Sequence, residues 1–241
     1  MNWFYRLKYK YQRYAIQNLA MYVTVIFGIG YLMLRTSAGS AIYSNYLAFY
    51  PREVLHGQIW RIVTAVLYPP FANSGLLMGL LGIYIYYNFA SVVERMMGDF
   101  EYNIYFFGSF LIGELGALLY YLIFGIDAPF LPLYTQFAVF MAFAIMYSDA
   151  QVLLFFAIPV KIWYLAAVEV VIYIFNFIFG DSMSRIVGIA YTRFSIFFAF
   201  LPIVIFYYTV QKGRSGGNII GNFKSRLRQK QRQKEWRDQW K

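Results

Sequence analysis

Ile162-Trp163-Tyr164-Leu165-Ala166-Ala167-Val168-Glu169-Val170-Val171-Ile172-Tyr173-Ile174-Phe175-Asn176-Phe177-Ile178-Phe179 is an unbroken apolar run with a single charge, Glu169. Wound as a helix it is about 27 Å long, close to the ~30 Å hydrocarbon thickness of a bilayer. Lys161 precedes it, and Gly180 to Arg185 follow as a polar loop. The rest of the chain has the same character: of 241 residues 61% are hydrophobic and 13% charged, where a soluble domain carries about 25% charged residues. A soluble fold of this length could not hide so much apolar surface, whereas a bilayer takes it as solvent. Tyr and Phe dominate the aromatic residues, and Tyr sits where hydrocarbon meets water.

Outward from this span, five more apolar runs predict an all-α membrane protein with six transmembrane helices. They cover about Leu19 to Leu34, Ser74 to Val93, Tyr102 to Phe124, Leu133 to Tyr147 and Ile186 to Val210, with 162–179 as the fifth in order. The first follows a basic start, and Ser37-Ala38-Gly39-Ser40-Ala41 could serve as a signal cleavage site. The length of the run and the spans after it favour a retained anchor. Pro69-Pro70 and Asn73-Ser74-Gly75 break the long apolar stretch from Ile62 to Val93. Gly75 and Gly79 share a helix face, where another backbone can approach; packing within the chain is favoured over dimerisation. Val152 to Val160 is apolar but too short to cross, and Pro159 stops it. Residues 35–61 form a polar-aromatic loop whose length predicts internal structure.

The net charge of +10 is terminal. Residues 1–16 carry +4, residues 211–241 carry +8, and residues 17–210 carry −2. Basic ends suit nucleic acid, but each run here abuts a hydrophobic span, so the positive-inside rule is the better reading. Both termini are then cytoplasmic, an even number of spans fits, and loop 35–73 is external. The chain divides into a basic amino terminus at 1–16, a membrane domain at 17–212 and a basic tail at 213–241. Trp236 and Trp240 in the tail suit a helix lying on anionic lipid or a disordered basic segment. There is no Cys and one His, His56. Thiol chemistry and zinc sites built on several His or Cys are excluded, and no cofactor is expected.

Three motifs carry a family resemblance. Gly57-Gln58-Ile59-Trp60-Arg61-Ile62-Val63-Thr64 resembles the Gly-Gln-x-Trp-Arg-x-x-Thr segment in the first external loop of rhomboid intramembrane proteases. Glu94-Arg95-Met96-Met97-Gly98 resembles the family's Glu-Arg-x-x-Gly at the cytoplasmic end of the second span, and Asp149 to Lys161 is similar to a segment after the fourth span of many bacterial members. The resemblance covers roughly residues 15–210 and implies a rhomboid-like six-helix bundle with a structured first external loop, in a bacterial plasma membrane. Physical chemistry gives these motifs structural roles. At a bilayer surface the Trp60 ring buries while the Arg61 guanidinium binds backbone carbonyls or lipid phosphate. Arg95 suits a helix end with unsatisfied carbonyls, and Glu94 ties the loop that follows.

The reaction is another matter. Active rhomboids place a serine within Gly-x-Ser-x-Gly at the start of the fourth span and a histidine early in the sixth. Here the corresponding places hold Pro132-Leu133-Tyr134-Thr135-Gln136-Phe137-Ala138 and Ser184-Arg185-Ile186. Thr135 is the nearby hydroxyl, and Arg185 stays protonated and cannot act as a base. The resemblance thus implies a pseudoprotease, comparable to derlins, that recognises transmembrane helices of client proteins. Membrane lipids and a cytoplasmic partner for the basic tail complete the expected partners. Glu114, Glu169 and Arg193 lie within spans, where a charge needs a partner or water. Glu169 and Arg193 are expected to pair, and Glu114, between Gly113 and Gly116, to hydrogen-bond a neighbouring helix. The competing readings are a protease using Thr135 and a small transporter using the three charges; no inverted repeat supports the latter.

Overall fold

The computed structural model describes residues 9–130, 132–148, 150–154, 158–181 and 184–216, the side chains of 134, 153, 154, 158, 184 and 209–216 excepted. Arg6, Lys8, Asp149 and the tail with Trp236 and Trp240 lie outside the described residues. The chain divides into two compact units, Met1–Ile203 and Val204–Lys241, the second described only as the end of the last helix.

In chain order the helices are α1 (Leu19–Leu34), α2 (Ser37–Ile42), α3 (Pro51–Leu55), α4 (Arg61–Thr64), α5 (Leu76–Met97), α6 (Asp99–Phe124) and α7 (Leu133–Met146). After them come strands β1 (Gln151–Leu154) and β2 (Ile158–Lys161), then α8 (Ile162–Phe179), α9 (Ser184–Val187) and α10 (Ile189–Gly216). Among the described residues four helices are long and apolar enough to cross a membrane: α5, α6, α8 and residues Ile189–Tyr208 of α10. A fifth span exists if α1 and Ser37–Leu47 are counted together across their 113° bend. These are the helices of an integral membrane protein. Six expected spans thus correspond to four or five, and the shortfall is one of length. Helices α1 and α7 have 16 and 14 residues, or about 24 and 21 Å of rise.

The bend after α1 has a local cause. Thr36 is extended, and its Oγ1 accepts from the Gly39 N–H at 3.1 Å, capping a new helix in a new direction. Arg35 closes the old one: its Nη2 donates to the Ser74 carbonyl and to the Tyr31 hydroxyl, with the guanidinium 4.5 Å from the Tyr31 ring centroid. Beyond α2 the chain continues as a π turn, Tyr43–Leu47, then α3 and α4. The loop at 35–61 is therefore structured throughout.

Helix α5 packs against α1, α6 and α7, and α7 in turn touches α6 and α8. The short α7 is thus enclosed, burying Phe137, Ala138, Val139, Ala142, Phe143 and Ala144. Its alanines let neighbours approach closely, and the Tyr105 hydroxyl of α6 donates to the Ala138 carbonyl at 2.5 Å. The apolar stretch at 152–160, expected as one short segment, instead forms an antiparallel ribbon in which Val152 pairs with Val160 and Leu153 with Pro159. Proline is tolerated because a two-stranded ribbon leaves an outward edge with no hydrogen bond to make. The all-α class therefore acquires one β element.

Close approach is required at Gly30, where an added Cβ would stand 1.7 Å from the Leu67 carbonyl oxygen. At Gly79 the neighbour is a ring: an added Cβ would meet Tyr31 at 2.2 Å, so the expected backbone approach on the Gly75 and Gly79 face is in fact an aromatic one. At Gly28 an added Cβ meets nothing within 4 Å. Gly30→Ala is expected to destabilise by about 1–3 kcal/mol through overpacking against rigid backbone. Gly28→Ala, in the same helix, is expected to be neutral or to stabilise by up to ~1 kcal/mol. Melting of the two variants in mild detergent checks the contrast; equal loss would show that the Leu67 contact does not constrain α1.

Candidate functional site

Four consecutive carbonyls at the end of the π turn explain the first motif. A helix ends with carbonyls that lack intrahelical partners, and here Asn45, Tyr46, Leu47 and Ala48 each receive a side-chain donor. The Trp60 Nε1 donates to the Tyr46 carbonyl at 3.0 Å, and the Thr64 Oγ1 to that of Leu47 at 2.8 Å. Arg61 supplies the other two, Nη1 to Ala48 at 2.6 Å and Nη2 to Asn45, while its Nε donates to Gln58 Oε1 at 2.7 Å. Gln58 Nε2 passes the chain of bonds to Glu53 at 2.7 Å. Arg61 is 2% exposed, so its charge is spread over acceptors rather than water. Trp60 is 50% exposed on the protein, and its N–H reaches inward. A ring at the surface lies where lipid would meet it. The loop is also tied to the turn before α7, through Phe130 N–H to the Phe49 carbonyl at 2.9 Å and Arg52 N–H to Asp127 at 3.2 Å.

The second motif holds the opposite kind of helix end. Glu94, 5% exposed on α5, accepts from the N–H of Leu19 at 2.6 Å and of Ala20 at 3.1 Å. A carboxylate at a helix start meets free N–H groups and the positive end of the dipole. The expectation that Glu94 ties the following loop is corrected: its partners lie at the start of α1. Nearby, the Asn103 amide, oriented to satisfy both ends, accepts from the Ile16 N–H at 2.5 Å and donates to the Ile16 carbonyl at 3.2 Å. Gly98 lets α5 turn into α6: its φ of 92° is strained for other residues, and its N–H closes α5 on the Glu94 carbonyl at 2.8 Å. Arg95 is exposed and lines a shallow cleft with Asn18, Glu94 and Asp99.

No bond links the places that resemble the lost catalytic pair. Thr135 is 2% exposed, and its hydroxyl donates to the Pro132 carbonyl at 3.0 Å within the first turn of α7. Arg185 is exposed on α9, and no hydrogen bond or ion pair joins it to Thr135. His56 is exposed, with Nδ1 2.7 Å from the Arg52 carbonyl oxygen. Among the described residues no group of three or more His, Cys, Asp or Glu is placed to hold a metal ion.

The intramembrane charges also depart from expectation. Arg193 and Glu169 do not pair. The Arg193 Nε donates to the Phe177 carbonyl at 3.0 Å, and its guanidinium lies 5.6 Å from that ring. It thereby serves the unsatisfied carbonyl end of α8, a demand the sequence does not display. Glu169 is half-buried on α8. Glu114 is 3% exposed, and its Oε1 has no hydrogen-bond partner, so the expected bond from a neighbouring helix to that atom is absent. Gln136 is in the same condition at Oε1, although its Nε2 donates to the Tyr68 carbonyl at 2.6 Å. Burial pushes the Tyr68 hydroxyl above the ordinary tyrosine range, and a hydrogen bond with Asn73 partly offsets the rise. Sequence reading passed over Gln136 and Asn103 as functional side chains; a lone amide in an apolar run is the signal that marks both.

No protein-family model, curated protein or solved structure matches the chain. Its geometry therefore carries the functional reading. Two polar clamps, one on carbonyls and one on N–H groups, fix the loop at 35–61 and the first helix to the rest, and the Thr135 hydroxyl is already engaged.

Proposed function

We propose that the chain is a rhomboid-like membrane protein without protease activity that holds transmembrane segments of client proteins for quality control or trafficking. The six-span bundle, with both termini in the cytoplasm of a bacterial cell, belongs to this proposal, α1 and α7 counting as short spans. One observation carries it: the Thr135 hydroxyl is buried and hydrogen-bonded to Pro132, while the sole imidazole is exposed and held at Arg52. A hydroxyl becomes a nucleophile when an adjacent base takes its proton, and neither residue is set for that exchange. The clamps at Arg61 and Glu94 support the family reading because they give the two motifs the structural work that their chemistry suits. Client recognition follows from length. Spans of about 21–24 Å thin the surrounding bilayer, which lowers the cost of holding a marginally hydrophobic helix there.

The test places a photo-crosslinking residue at Leu133, exposed at the start of α7, and another at Val168, exposed on α8. Native membranes are illuminated and adducts identified. Adducts at Leu133 enriched, relative to Val168, in segments bearing polar residues are the expected result; indistinguishable adducts would reject client binding at the thinned side. In parallel, the purified protein is incubated with transmembrane substrates and a serine-directed probe. Cleavage that disappears in Thr135→Ala would establish the protease reading instead.

A further inference from the structure

We propose that the groove between α8 and the first turns of α10 binds one phospholipid, with its phosphate on Arg193 and an acyl chain along an aromatic stripe. The groove is lined by Tyr173, Ile174 and Phe177 of α8 and by Ile196, Phe197 and Phe200 of α10, and encloses about 250 Å³. Every one of these side chains is apolar or aromatic. On α10 the positions 193, 196, 197 and 200 recur at helical spacing, so Arg193 heads the same face that lines the groove. Phe177 joins the two parts: its ring lies beneath the guanidinium, and it also borders the groove.

Depth distinguishes a lipid from other ligands. Arg193 stands about 6 Å along α10 from its first residue, Ile189, and Phe177 lies two residues before the end of α8. The cation is therefore near one end of both helices, at the level of headgroups. From Arg193 to Phe200 the stripe extends about 10 Å toward the bilayer centre. A charged head above an apolar tail is the outline of an amphiphile with an anionic head, and guanidinium matches phosphate with several donors at once. The Nε of Arg193 is engaged with the Phe177 carbonyl; the residue is exposed, and its two terminal nitrogens remain as donors. The nearby carboxylate, Asp181, accepts from the Thr192 hydroxyl at 2.7 Å, and among the described residues no ion pair is formed by Arg193. A free phosphate would use the guanidinium and leave the stripe bare; an uncharged lipid would use the stripe alone.

The experiment uses the full chain in dodecyl maltoside micelles, which contain no phosphate. A phosphatidylglycerol and a diacylglycerol of equal chain length, each with a diazirine on one acyl chain, are added separately and illuminated. Adducts on peptides covering 173–177 and 196–200 are compared with those at Leu122, exposed on the outside of α6. Phosphatidylglycerol is expected to label the groove several-fold over Leu122, and diacylglycerol to show little or no preference. Arg193→Gln is expected to bring phosphatidylglycerol down to the diacylglycerol level, with Arg193→Lys intermediate. Ile174→Trp, at an exposed position of the groove lining, fills the groove and leaves Arg193 in place; it is expected to abolish the preference and covers the case in which Arg193→Gln does not fold. Equal preference for the two lipids, or a preference that survives both Arg193→Gln and Ile174→Trp, would overturn the proposal.

Discussion

Arg61→Ala is expected to be the most damaging single change in the loop at 35–61, at roughly 3–5 kcal/mol of stability. The side chain is 2% exposed and donates to the carbonyls of Asn45 and Ala48. Its removal strands both, together with Gln58 Oε1, which accepts from Nε. Water cannot readily replace the donors at an enclosed site, and hydrogen bonds from a charged donor contribute about 1.5–3 kcal/mol each. Arg61→Lys is expected to recover only a minor part, because an ammonium is a point charge and cannot reach two carbonyls and an amide in fixed directions. Thr64→Val removes one neutral bond, to Leu47, and is expected to cost about 1 kcal/mol. Unfolding of the purified protein by heat or by sodium dodecyl sulfate measures all three. Full recovery by lysine would show that charge, and not the fork, holds the loop.

Glu94→Ala is expected to cost roughly 2–4 kcal/mol, again through stranded groups. Here they are donors, the N–H groups of Leu19 and Ala20 at the start of α1. Asn18, the residue before the helix, makes no side-chain cap bond and has a left-handed φ of 55°, so no local cap substitutes for the carboxylate. Glu94→Gln is expected to fall between wild type and alanine, since the amide offers one acceptor oxygen and turns an NH₂ toward the second donor. Amide hydrogen exchange provides a local readout. Leu19 and Ala20 should lose protection in both variants, while Ala48 and its neighbours should not. Uniform loss across the chain would mean that Glu94 acts on global stability alone.

The sequence made some of this legible and hid the rest for physical reasons. The bounds of α8 follow directly from an apolar run stopped by Lys161 and Gly180, because length and hydropathy are local properties. That a buried guanidinium binds carbonyls also follows from its donors; that the carbonyls are those of residues 45 and 48 does not. The sequence points Glu94 to the adjoining loop, and the N–H groups it holds are 75 and 74 residues away. Spacing along the chain says nothing about such a pair. The end of the first apolar run at Leu34 was legible, but not that the polar-aromatic loop after it starts as a second helix in a new direction, because a single extended residue, Thr36, redirects the chain. The ribbon at 151–161 was hidden because its strands are short and carry no alternation strong enough to separate them from a helical fragment. Glu169 and Arg193 looked like partners at similar depth, yet the carbonyl end of α8 competes for the guanidinium and wins it. At Thr135 the residue type was legible and its engagement with Pro132 was not.

The bond from Glu94 to the start of α1 has a consequence for biosynthesis. A ribosome adding ~5–20 residues per second needs roughly 4–15 s to go from Leu19 to Glu94. Throughout that interval the leading amides of α1 are uncapped by the carboxylate that later holds them. Translation past α5 thus completes α1, and chains released before that point emerge with the start of α1 untethered.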